Sequence, residues 1–293
     1  MKVNSKSEQW IQIQGGLGNQ LFQYAFAHHF AKSSNSDLIL DCEFMSRAQS
    51  GNGILDFNLE GKFVNLDSVW ERKVKRALKI YKPSKPPNEY PRIDERLSKN
   101  LKFSNLNGSN YFTGYFRSYE FARNFLAGNK LVLRSPSNEY MDLSGKIYVE
   151  GIAMHVRRGD YKKNTSWGQL SPKYYAEALS IMRQNSSEKI YIYSDEPNFV
   201  KKEFFADSVF SNCISKDEII IIDDKLKLTA AETMLLLAST NRIIIGNSTF
   251  SLWAAYLSKN ADVVAPSRFY ANFNPVGEII YGLNWKKIIP HYV

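Results

Sequence analysis

The sequence predicts an α/β protein built from two doubly wound, Rossmann-like parallel domains, and three observations predict it. Near the start, a β-like stretch at 10–14 is broken by Gly15, Gly16 and Gly18; helix-like spacing follows over 21–32, then a second strand at 38–41. Strand, glycine turn, helix, strand is the order of a βαβ unit with a parallel pair. In the second half, runs rich in β-branched residues at 152–156, 190–194, 219–223, 243–245 and 263–265 alternate with helical stretches. Such alternation argues a parallel sheet with helices on both faces. Between the halves, the polar stretch 135–146 reads as a linker, so the expected domains are 1–145 and 146–293, with a cleft between them lined by the carboxyl ends of strands from both.

Helix punctuation agrees with this order. Ser171 and Pro172 stand where an N-cap and a first helical residue belong before 173–183, and Thr229 with Glu232 makes a capping box before 234–239. The stretch 51–109 has a weaker pattern, and no element is assigned there. Its basic run, 72–85, is punctuated by Pro83 and followed by Pro86 and Pro87.

Composition narrows the partners. The 293 residues are 44% hydrophobic, enough apolar material for two cores, so disorder is not expected. A formal charge of +9 favours an anionic partner without choosing among nucleic acid, membrane and phosphorylated metabolite. The basic residues are not interleaved with aromatics on a nucleic-acid module, so no nucleic acid is expected. Cys42 and Cys213 form no close pair and no metal-spaced cluster, which suits a reducing compartment without a disulfide framework or structural zinc. The N-terminal residues carry no apolar run of signal-peptide length, and no run of about 20 apolar residues occurs anywhere. The expected location is the cytoplasm.

Four clusters carry chemistry. His155, Arg157, Arg158 and Asp160, in HVRRGDY, fall at the exit of the first strand of the second half, where open α/β sheets bind ligands. One arginine can grip a phosphate by its planar fork while the other is held by Asp160 or another carboxylate. Gly246, Asn247, Ser248, Thr249, Phe250 and Ser251 lie between a strand and a helix, so backbone N–H groups and hydroxyls are offered to an anion at a helix start. Gly15, Gly16, Gly18, Asn19 and Gln20 form a glycine turn that lacks the third glycine of a dinucleotide fingerprint and the lysine of a P-loop. Asp195 closes the strand 190–194, where its carboxylate can accept from N1 and the 2-amino group of guanine, a pair that adenine does not present.

Together GGLGNQLFQYAFA at 15–27, HVRRGDY at 155–161, YIYSDEP at 191–197 and GNSTFSLWAA at 246–255, with GYFRSYEFA at 114–122, resemble the α-1,2-fucosyltransferases of glycosyltransferase family 11. The resemblance implies a GT-B fold, a GDP-β-L-fucose donor, and inverting, metal-independent transfer to the 2-hydroxyl of a terminal β-galactoside, in O-antigen or surface polysaccharide synthesis. Transfer to another acceptor or linkage and a non-catalytic sugar-nucleotide-binding protein are the alternatives. By the same resemblance, Arg157 binds the β-phosphate with Arg158 beside it, and His155 and Asp195 contact guanine. Ser248, Thr249 and Phe250 match the phosphate-side motif, Asn247 stands in it, and Gly16, Gly18, Asn19 and Gln20 match a loop facing donor and acceptor. Metal-free chemistry fits the absence of any Asp-x-Asp triplet.

Arg157 is thus expected to stabilise the departing diphosphate. Asp160 is the candidate for taking the acceptor proton, or else orients Arg158. Some relatives carry a Glu several residues after the motif arginine, and Asn164, Thr165 and Ser166 stand there instead. Finally, Trp70, Arg72, Lys73, Lys75, Arg76, Lys79 and Lys82 interleave with Val69, Val74, Leu78 and Tyr81 at helical spacing, as in a helix that lies on an anionic membrane. That would bring a lipid-diphosphate-linked glycan acceptor within reach at the inner face of a bacterial membrane.

Overall fold

The computed structural model describes residues 6–45, 53–96, 106–145, 151–163, 165–184, 188–204, 206–222, 224–258, 260–272 and 280–293. Asp223, Lys146 and Asn164, each part of a sequence expectation, lie outside them. The chain divides into two compact units, Met1–Arg134 and Ser135–Val293.

The first unit carries β1 (Glu8–Gln12), α1 (Leu17–Ser33), β2 (Asp37–Asp41), β3 (Lys62–Val64), α2 (Val69–Ala77), β4 (Arg92–Asp94), β5 (Asn110–Thr113) and α3 (Tyr119–Gly128). Its strands lie in the order β3-β2-β1-β5-β4, every neighbouring pair parallel. Parallel pairing needs crossovers that cover the sheet, so Ile11, Leu40 and Phe112 are fully buried. α1 is buried almost all round, and its Phe26 stacks on Phe116 with ring centroids 3.8 Å apart. The weak pattern over 51–109 has a plain cause: β3 and β4 are three-residue, partly exposed strands at the sheet edges. So little buried surface leaves no alternation to read.

The second unit carries α4 (Asn138–Ser144), β6 (Ile152–Val156), α5 (Pro172–Met182), β7 (Ile190–Ser194), α6 (Pro197–Phe199), α7 (Ser208–Ser211), β8 (Ile219–Ile222), α8 (Ala230–Ala238), β9 (Arg242–Ile244), α9 (Thr249–Leu257), β10 (Asp262–Pro266) and β11 (Lys286–Ile288). The sheet order is β11-β10-β9-β6-β7-β8, again wholly parallel. From β6 the chain winds outward through β7 and β8, then returns to β9 on the other side and winds outward again. The direction reverses between β6 and β9, and the crevice at their carboxyl ends is the topological switch point where such sheets bind ligands.

The polar stretch read as a linker belongs to the second unit. Ser137 caps α4, and its N–H donates to Glu232 at 2.6 Å. Glu232, 2% exposed, also accepts from the Thr229 N–H at 2.8 Å, so its carboxylate ties α4 to the start of α8. α4 buries none of its residues, which is why its composition looks like a linker. The compact units therefore divide at 134/135, whereas composition suggests 145/146.

Candidate functional site

Arg157 leaves the buried end of β6 and is fixed by two carboxylates. Its Nη2 donates to Asp160 at 2.6 Å and its Nη1 lies 2.8 Å from Asp195. Burial pulls the guanidinium pKa down, but Asp195 and Asp160 outweigh it and leave the group above its ordinary value. Five N–H donors are available to a guanidinium, so the fork still has donors to offer at 31% side-chain exposure. Asp160 thus orients Arg157 rather than Arg158, because the i, i+3 spacing over the turn at Gly159–Lys163 folds its carboxylate back onto the first arginine.

Arg158 is a packed support. Its guanidinium lies 3.3 Å from the Phe199 ring centroid, with Nε 3.6 Å from Glu196, and Lys162 reaches the same Glu196 oxygen at 2.5 Å. Asp195 takes the Arg158 backbone N–H on Oδ1 at 3.0 Å while Oδ2 faces Arg157. Burial raises the Asp195 pKa above the carboxylate norm, and Arg157 partly offsets this. A side chain on Gly159 would press on Asp195 Oδ2 and displace it from Arg157, so glycine here lets the two approach. Three cations and three carboxylates interleave here, so the cluster presents directed donors and not a bare positive patch.

His155 lies within β6, one residue before its end. It is 5% exposed, stacks on Phe250 with ring centroids 5.4 Å apart, and its Nδ1 has no hydrogen-bond partner among the described residues. Burial, with Arg157 nearby, lowers its pKa to about 3, so the ring is a neutral imidazole with an uncommitted nitrogen. The unfolded chain takes up this proton near pH 6.5 and the folded one near 3. Between those values the unfolded state binds more protons, so stability is undiminished above pH 6.5 and falls as pH drops toward 3. Urea unfolding across that range is expected to show a decline of a few kcal/mol that His155→Gln flattens; an equal slope in the variant refutes the assignment.

The loop after β9 closes the crevice. Gly246 sits where a Cβ would come within 3.0 Å of the His155 carbonyl oxygen and 3.3 Å of the Tyr175 hydroxyl. Ser248 caps α9 by accepting from the Phe250 N–H at 3.3 Å, and Thr249 opens the helix. Asn247 departs from its expected role: its amide donates to the Trp167 and Gly168 carbonyls at 3.1 and 3.0 Å, and its own carbonyl accepts from Tyr161 at 2.6 Å. With both amide hydrogens committed, Asn247 builds the wall and does not touch a ligand through them. Ser251 likewise donates to the carbonyls of Gly246 and Ser248 at 3.2 and 3.1 Å.

Sequence reasoning missed several supports. Glu196 and Phe199 hold Arg158, and the adjacent Tyr174 and Tyr175 on α5 donate to the Ile245 and His155 carbonyls at 2.7 and 3.2 Å, tying down both strand ends. A tyrosine pair separated by one residue from the N1 proline was the available signal.

In the first unit, Gly16 is exposed at the N-cap of α1, whereas Gly18 is buried in its first turn. Gln20 turns inward: fully buried, it donates to the Gly15 carbonyl at 2.8 Å and accepts from the Ile54 N–H at 3.0 Å. Gln23, missed in the sequence, joins the loops after β1 and β5 by accepting from Gln14 N–H at 3.0 Å and donating to the Gly114 carbonyl at 2.8 Å. Asn19 alone keeps a buried side-chain oxygen without a partner among the described residues in this loop.

Two doubly wound parallel units in one chain, one with an arginine fork at its switch point, place the protein in the GT-B class of α/β glycosyltransferase folds. The structure of the fucosyltransferase NodZ from Bradyrhizobium is similar in fold, with a TM-score of 0.55 at 14% identity over 93% of this chain and 100% of that one. Residues 2–289 match glycosyl transferase family 11, and the chain belongs to that family. It is 28% identical to an alpha-1,2-colitosyltransferase of Escherichia coli, over 88% of this chain and 91% of that protein. It is 24% identical to the O-antigen biosynthesis glycosyltransferase WbnK of Escherichia coli, over 89% and 95%. A galactoside 2-alpha-L-fucosyltransferase of Caenorhabditis elegans is 21% identical, over 93% and 77%.

Proposed function

We propose that this glycosyltransferase moves L-fucose from GDP-β-L-fucose to the 2-hydroxyl of a terminal β-galactoside, with inversion and without a metal ion, in O-antigen or surface polysaccharide assembly. The observation that carries the reading is Arg157, held by Asp160 and Asp195 at the switch point beside the start of α9. Cleaving the bond between fucose C1 and the β-phosphate oxygen leaves added negative charge on GDP. The free donors of Arg157, the Ser248 hydroxyl and the N–H groups opening α9 meet that charge where it develops. The acceptor oxygen attacks C1 from the opposite face, which inverts the anomeric centre, and its proton leaves to a base. Asp160, engaged by Arg157, is a positioning residue in this scheme, and no residue is assigned as the base. Asp195 and His155 recognise guanine; each Asp195 oxygen accepts one bond within the protein and retains capacity for another.

The likeness to a colitosyltransferase favours a second donor. A colitosyl group is a fucosyl group without its 3-hydroxyl, so one GDP grip serves both and only contacts to that hydroxyl discriminate. The test offers GDP-fucose or GDP-colitose with galactose-terminated glycans, with and without EDTA, and maps the product linkage. Expected is an α-1,2-fucosylated product at a rate indifferent to EDTA. Colitosyl transfer alone selects the second donor, donor binding without turnover returns a non-catalytic binding protein, and no GDP-fucose binding overturns the reading.

A further inference from the structure

α2 is inside out. Arg72, 4% exposed, turns inward and donates to the Glu43 carbonyl at 2.8 Å, while Trp70 on the far side of the helix is 72% exposed. Arg76 reaches Glu43 at 3.5 Å and lies 4.7 Å from the Tyr81 ring centroid, and Lys75 is paired with Asp67 at 2.6 Å. The apolar residues beyond the helix turn outward as well, Leu78 at 62% and Ile80 at 58% exposure. A helix that sinks Arg72 and exposes its tryptophan is amphipathic toward something other than water.

The surrounding charge identifies that partner. Residues 66–85 hold seven basic side chains against two acidic ones. Asp67 is paired with Lys75, and Glu71 is occupied in the capping box with Ser68. Lys73, Lys79, Lys82 and Lys85 are exposed and make no ion pair among the described residues. The segment is held at both ends, by Glu43 under α2 and by Asn65, which donates to the Ser84 carbonyl at 2.9 Å and accepts its N–H at 2.7 Å. Lys79 is notable in its backbone. It takes a left-handed φ of 56° where a Schellman helix end usually has glycine, with Lys79 N–H on the Arg76 carbonyl at 3.0 Å and Ile80 N–H on that of Lys75 at 2.9 Å. A strained lysine at this position puts a cation, not a gap, beside Leu78 and Ile80.

We propose that α2 and the segment through Lys85 dock this chain on an anionic lipid bilayer, with Trp70, Leu78 and Ile80 entering the interface and the four lysines facing lipid phosphates. Contact is peripheral, since among the described residues no helix is long and apolar enough to cross a membrane. The docking is independent of the donor reading, and its test uses no donor.

The full chain is sedimented at physiological salt with vesicles of phosphatidylglycerol and phosphatidylethanolamine, or of phosphatidylcholine alone. Binding to the anionic vesicles only is expected. Lys79→Gly lowers the partition coefficient about fivefold yet raises the melting temperature by relieving the left-handed strain, which separates docking from folding. Trp70→Ser lowers it by about tenfold or more. Failure to sediment, equal binding to phosphatidylcholine, or unchanged binding in both variants overturns the proposal. So does a dimer in sedimentation velocity that Trp70→Ser dissociates, which would give the face to a second copy.

Discussion

Arg157→Ala is expected to lower kcat by about 100- to 1000-fold, the usual loss when one preorganised donor to a developing charge is removed. The fold should persist, because Arg157 is 31% exposed and its contacts are to surface-proximal carboxylates. KM for the donor should change less than kcat, since the fork meets charge that is largest after the sugar has begun to leave. Arg157→Lys should recover little: a lysine carries the charge but not a planar fork able to lie between Asp160, Asp195 and a phosphate at once. Measuring GDP release and the melting temperature of each variant checks this. Near-normal kcat in Arg157→Ala would remove Arg157 from the chemistry.

Asp195→Asn is expected to erase a preference for GDP over ADP of roughly 10- to 100-fold, the worth of hydrogen bonds to a charged acceptor. A carboxylate accepts from both N1 and the 2-amino group of guanine, whereas an amide turns one acceptor into a donor. Competition by GDP, IDP and ADP separates two roles. If Asp195 reads the base, IDP, which keeps N1–H and lacks the amino group, falls between the others in the native protein, and all three converge in the variant. If Asp195 only braces Arg157, from which its Oδ2 is 2.8 Å, all three weaken together and the preference survives.

In the second half β6 was legible because a central strand of a parallel sheet is buried on both faces, so Ile152–Val156 stands out as a continuous apolar run, and β7 nearly so. The capping box at Thr229 and Glu232 was legible because it is local, satisfied within one helical turn. β3, β4 and β11 were not, because each is three residues long and partly exposed. α4 was not, because a surface helix that buries no residue has the composition of a linker.

In the site, the sequence by itself determined which residues gather at the carboxyl end of β6: a strand exit, a turn and a helix start follow from local pattern, and HVRRGDY and GNSTFS lie at those points. Only the tertiary structure decided what each side chain does there. Gln20 was drawn into the core to accept from the Ile54 N–H, Asp195 met the Arg157 guanidinium across two strands, and Asn247 committed its amide to carbonyls some eighty residues away in the chain. The physical reason is that a polar group leaving water must find a partner, and among partners distant in sequence the one it meets is set by how the elements pack.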